Sequence, residues 1–192
     1  MLNIISGTLS VGVTPSTTSY ESIATTTVGA GGSSTVTFSS IPATYKHLQI
    51  RGIIRCDNTT NANLQWQLNS DNSNTNYNIH ILRGTGTTVV SEAVTSGSAN
   101  SFIVSNEAVA KSNDTASVFG VVVIDLLDYS NTNKYKTTRA LGGRDTNGGG
   151  AITITSSLWQ NTAAVSSISL SVVNSLNFVQ YSQFALYGIK GS

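Results

Sequence analysis

Few side chains in this sequence could do chemistry, and their spacing argues against most of it. His47 and His80 are the two histidines, and neither stands in a ligand-spaced cluster such as HxxxH. A zinc site needs further His, Cys or carboxylate ligands at short spacing, so each histidine reads as a strand residue bonded to a neighbour and no metal is expected. Cys56 is the one cysteine. It has no intrachain disulfide partner and reads as a packed thiol. The run Asp71-Asn72-Ser73-Asn74-Thr75-Asn76 places oxygens at alternate positions, as a calcium loop does. It lacks the glycine turn and the bidentate Glu of such a loop, and a hydrated turn is the better reading. No G-x-S-x-G elbow frames a serine, and Gly148-Gly149-Gly150 is not followed by the Lys-Ser/Thr of a phosphate loop. Asp125 and Asp128 fall on opposite faces of a strand, with Asp128 ending it. The expectation is a protein without catalytic residues or a cofactor.

Aromatic residues in polar segments are the remaining candidates: Tyr77, Tyr129, Tyr135 and Trp159. Tyr and Trp beside Asn, Gln and Asp can stack on sugar rings and hydrogen-bond their hydroxyls. The same residue types are enriched at subunit interfaces. An interface or structural role is preferred here to glycan contact, and Trp66 is assigned to the core.

The elements that must position these residues are strands. Charged residues make up 10% of the 192, against about 25% in an ordinary soluble domain. Ser, Thr and Asn number 28, 25 and 18 and take the vacant surface. A Thr- and Asn-rich chain with apolar residues at alternate positions predicts β-sheet joined by many turns. Ten basic and nine acidic residues are scattered along the chain for a net charge of +1, which argues against a nucleic-acid-binding face. No apolar run approaches the roughly 20 residues of a membrane span, so no membrane insertion is expected. Met1–Val13 carries no Lys or Arg and lacks the continuous apolar core of a signal peptide, which predicts synthesis in the cytoplasm without export.

Residues 1–18 lack alternation and end in a Pro, Ser and Thr cluster, so they read as an extended N-terminal arm before a single domain over 19–192. Tyr20–Val28 and Ser33–Phe38 flank a Gly-rich turn and predict a hairpin. In His47–Arg55, Leu48, Ile50, Gly52 and Ile54 alternate inward against Arg51 and Arg55. In Ala62–Asn69, Leu64, Trp66 and Leu68 do the same, and these two strands are expected to pair. Tyr77–Arg83 reads as a strand and 84–100 as a surface excursion. Phe102–Val104 reads as a short strand and Asn106–Lys111 as one helical turn. Phe119–Asp128 is almost continuously apolar and predicts a central strand covered on both faces. Lys134–Ala140 alternates with one side solvated. Ala151–Leu158, Ser166–Val172 and Val179–Ile189 complete nine to eleven short strands. This pattern predicts an all-β antiparallel β-sandwich, jelly-roll-like.

Four segments, taken together and in order, resemble a module widespread in tailed bacteriophages, especially those of marine bacteria and cyanobacteria. They are Ser19–Thr25, Phe38–Arg51 (FSSIPATYKHLQIR), Asp125–Lys136 (DLLDYSNTNKYK) and Phe178–Gly191 (FVQYSQFALYGIKG). The resemblance implies a non-enzymatic virion protein, made in the host's cytoplasm and carried on the particle's exterior. Such modules occur as stand-alone structural proteins and as tail-fibre tips, and the lack of a fibre shaft favours a capsid decoration, cement or accessory protein. Its expected partners are phage capsid or tail proteins and further copies of itself, a trimer by analogy. Leu2, Ile4, Ile5, Leu9, Val11 and Val13 of the arm would supply the apolar docking contacts, for example by adding a strand to a sheet edge. The alternative is a tail-fibre or receptor-binding module that grips host surface polysaccharide.

Overall fold

A computed structural model describes residues 19–60 and 63–191. The arm expected over 1–18, with its six aliphatic contacts, lies outside the described residues. The described chain is all-β, with twelve strands in two antiparallel sheets and only short 3-10 turns between them. No helix among the described residues is long and apolar enough to cross a membrane.

The four-stranded sheet runs β2 (Thr35–Phe38), β11 (Ile168–Val172), β4 (Leu64–Leu68) and β7 (Ile103–Ser105). The eight-stranded sheet begins β1 (Tyr20–Thr27), β12 (Gln183–Ile189), β3 (His47–Ile54) and β8 (Gly120–Leu126). It continues through β9 (Lys136–Asp145), β10 (Gly150–Trp159), β5 (Tyr77–Gly84) and the edge strand β6 (Val89–Val94). The first four strands of the large sheet and the whole small sheet form the two interleaved halves of a jelly roll. The β5–β6 and β9–β10 hairpins are additions that extend one of those sheets sideways.

This winding corrects two expected pairings. β1 and β2 are not a hairpin: β1 pairs with β12 and β2 with β11. Likewise β3 pairs with β12 and β8, while β4 pairs with β11 and β7. In a jelly roll these successive strands cross from one sheet to the other, so a turn signal between them marks a change of layer. The facing of residues along β3 and β4 is as expected. Leu48, Ile50, Gly52 and Ile54 of β3 are buried against Leu64, Trp66 and Leu68 of β4 in one apolar core that also takes Val122, Ile124, Leu126, Ile168, Leu170, Phe184 and Leu186.

Asn106–Lys111 forms no helical turn. The loop that follows, 112–118, wraps around the guanidinium of Arg55, whose Nη1 donates to the carbonyls of Thr115 at 2.9 Å and Val118 at 2.7 Å. The Cys56 amide donates to the Ala110 carbonyl at 2.8 Å, so residues 110–118 are held as a loop against the end of β3. The stretch 84–100 is not simply an excursion: Val89–Val94 returns as β6 and pairs with β5.

Candidate interaction surface

The residues singled out for chemistry have mostly structural partners. Both oxygens of Asp71 are occupied: Oδ2 accepts from Trp159 Nε1 at 2.7 Å and from Asn76 Nδ2 at 2.8 Å, and Oδ1 from the Ser73 amide at 2.9 Å. Burial pushes this carboxyl up, but these donors together hold it below its ordinary value. The Asp-Asn run is thus a turn organised on its own carboxylate. His47 Nδ1 accepts from the Asp128 amide at 3.0 Å. Asp128 itself lies beyond the end of β8, hydrogen-bonded to Lys134 and 3.0 Å from Lys46 Nζ, and the two ammonium groups hold its pKa down at about 2. Cys56 is fully buried, and burial raises its thiol pKa. Among the described residues, no three His, Cys, Asp or Glu side chains gather as a metal site would require.

Three of the four candidate aromatics are buried. The Tyr77 hydroxyl donates to the Asp71 carbonyl at 3.1 Å and accepts from the Leu68 amide, and its ring stacks 6.5 Å from that of Trp159. The Tyr129 hydroxyl donates to the Pro42 carbonyl. Tyr77, Tyr129 and Trp159 are therefore packing residues with satisfied polar ends and present no ring to a ligand or partner. Tyr135, 53% exposed, is the one of the four that faces solvent.

Sequence reasoning did not single out the outer face of the large sheet. Cross-strand registers place Val123, Leu141, Ile154 and Leu82 side by side across β8, β9, β10 and β5. One step along the strands, Ile53 lies beside Val121, and Gly143 separates Val121 from Ile152. These seven large aliphatic side chains are between 36% and 63% exposed. No ionisable group interrupts them. Where Gly143 carries no side chain the band sinks into a trough of about 1130 Å³, bounded by the Gly84–Thr87 and Asp145–Gly150 turns. Beyond Val123 the row meets Arg51, whose guanidinium lies 5.2 Å from the Tyr187 ring and whose Nε donates to Gln49. The next row is polar, with Asp125 bonded to Gln49 at 2.8 Å, then Arg139, Ser156 and His80.

β10 shows how unusual this face is. Ile152 and Ile154 point to solvent, whereas Thr153, Thr155 and Ser157 point inward and are at most 3% exposed. A strand of a lone sandwich is expected to turn its apolar set inward, and a shift of one residue would do so. Packing beneath the strand accounts for the reversal. A Cβ on Gly142 of the neighbouring strand would come within 2.6 Å of Ser105 Oγ and 2.7 Å of Ala108 Cβ, so β7 and the following loop lie close under this part of the sheet. Small side chains fit there, and Thr155 Oγ1 donates to the Val104 carbonyl at 2.5 Å.

The expectation that β8 is covered on both faces is corrected for the single chain. Val122, Ile124 and Leu126 are buried, but Val121 and Val123 lie on the open face. The signal that could have found the surface is the conjunction of a doubly apolar β8 with an Ile-Thr-Ile-Thr strand beside it. A second, polar concavity of about 410 Å³ lies on the small-sheet side, lined by Gln65, Gln67, Asn72, Asn74, Phe102 and Asn174. No family model, curated protein or solved structure matches this chain.

Proposed function

We propose that this protein is a structural, non-enzymatic component of the exterior of a phage particle, a capsid decoration, cement or accessory protein that works by assembly. Its segment 1–18 anchors it to a capsid or tail protein through Leu2, Ile4, Ile5, Leu9, Val11 and Val13, and copies associate with one another. The observation that carries this reading is the ion-free apolar band on an open sheet face. A continuous aliphatic patch of this kind, rimmed by polar residues, is a common site of protein association. The phage-module resemblance supplies the setting.

Cryo-electron microscopy of the particle that encodes the chain tests the proposal. Many symmetric copies on the head, each gripped through residues 1–18, are the expected result. Absence of the chain from purified particles overturns it. A few copies at the distal end of the tail would favour the second reading, a receptor-binding module for host polysaccharide. That reading draws on the amide-lined concavity around Gln65, Gln67 and Asn174, since carboxamides and an aromatic edge can hold a neutral sugar.

A further inference from the structure

We infer that the apolar face spanning β8, β9, β10 and β5 is covered by the same face of a second copy, around a two-fold axis near Leu141. The inference rests on the self-association part of the proposal above. It also specifies the contact, since a single contiguous patch that meets itself is isologous and closes as a pair, whereas a threefold ring needs two different patches.

Three properties favour a second copy over other occupants. The first is charge. The seven aliphatic side chains have no charge among them, and the charges at the band's ends are of both signs, Arg51 at β3 and Asp145 beside the trough. The polar row beside the band also carries both signs, in Asp125 and Arg139. The second is area. Seven partly exposed aliphatic side chains offer on the order of 400 Å² of apolar surface. With a polar rim added, that suits the apolar centre of a patch of about 800 Å² per partner, the size at which stable pairs form. The third is relief. Ile152 projects between two positions without side chains, Gly143 on one side and Gly84 on the other. A ridge flanked by gaps can interdigitate with its own two-fold image, as facing sheets do at about 10 Å separation.

The inward-facing threonines give the same answer from the folding side. A register that buries Thr153 and Thr155 and exposes Ile152 and Ile154 loses apolar burial in a lone chain and regains it in the pair.

Sedimentation equilibrium of the full chain should show dimers at micromolar concentration. Ile152→Glu combined with Ile154→Glu should weaken the pairing by at least about 100-fold, because it buries unpaired charge at the contact. Circular dichroism melts of the dissociated variant should still show a folded domain, as both side chains point outward. Leu141→Cys should give a disulfide-linked dimer under mild oxidation, while Tyr135→Cys, away from the face, should not. The native Cys56 is fully buried and leaves that readout clean.

A wild type that stays monomeric at high concentration overturns the inference, and so does a dimer indifferent to the paired Glu substitutions. Monomers that nevertheless decorate particles would remove the face pairing and keep the virion reading. Face-paired dimers absent from every particle would do the reverse.

Discussion

On the four-stranded sheet the side chains turned to solvent are Thr35 and Thr37 of β2, Ser169 and Ser171 of β11, and Gln65 and Gln67 of β4. At the matching outward positions the eight-stranded sheet carries Ile53, Val121, Val123, Leu141, Ile152, Ile154 and Leu82. Both sheets follow the same two-residue alternation and both cover the same core. Hydroxyls and amides exchange bonds with water at little cost, and Thr37 and Ser169 also bond each other at 3.0 Å across their strands. Aliphatic groups left in water forgo about 25 cal/mol for every Å² that could have been buried. The contrast is between an outer face that is polar throughout and one that carries a block of aliphatic side chains beside its polar rows. It also locates the difference in the part added to the jelly roll, since most of the apolar face belongs to β9, β10 and β5.

The largest effect that can sharpen this contrast comes from neighbouring residues of β8. Val122→Asp buries a carboxylate in the core and should cost about 4 kcal/mol or more. Val121→Asp, one residue away and outward, should change monomer stability by no more than about 0.5 kcal/mol. Urea unfolding at low protein concentration reads both, and equal losses would erase the distinction between the faces.

A smaller effect tests the inward threonines of β10. Thr153 Oγ1 is buried without a partner, so Thr153→Val should stabilise the fold by about 1 kcal/mol. Thr155 donates to Val104, and Thr155→Val should lose about the same amount. Shifts of the same sign in the two thermal melts would mean that β10 does not sit in this register.

The smallest effect lies away from both faces, at Asp128. Its pKa is lowered from 3.8 to about 2 by the hydrogen bonds from Lys134 and Lys46. The depressed value means that its stabilisation is complete above about pH 4 and is lost as the pH falls through 2. Solvent screening keeps it below about 1 kcal/mol. Asp128→Asn should therefore be slightly less stable than wild type at pH 7 and equal to it near pH 2, by urea midpoints. A gap that persists unchanged at pH 2 would remove the ion pairs as its cause.

Much of the layering was readable in the residues. Leu48, Ile50 and Ile54, and Leu64, Trp66 and Leu68, declare their inward sides because polar residues fill the alternate positions. Partners were not readable. β1 finds β12 across the length of the chain, and a local Gly-rich turn gives no hint that the next strand belongs to the other sheet. β6 was hidden because an edge strand pairs on one side only and tolerates the Ser and Glu of VVSEAV. Tyr77, Tyr129 and Trp159 were placed in polar segments by their neighbours in sequence, while their rings follow strands and turns into the core. The apolar face escaped notice because alternation says which residues share a side and nothing about which side meets the core. On β10 hydrophobicity alone points the wrong way, since the space under the strand is set by β7 and Gly142 and not by the strand's own residues.

The Lys190 amide donates to the Ser19 carbonyl at 3.0 Å, beside the Tyr20–Ile189 pair that closes the β1–β12 ladder. Both ends of the described chain therefore leave the domain at one corner of the large sheet. Mechanical load applied between them would meet the ladder's hydrogen bonds one at a time, opening it like a zipper, instead of shearing all of them together. A tether at either end alone leaves that seam unloaded. Force between the two ends thus meets the domain where it resists least.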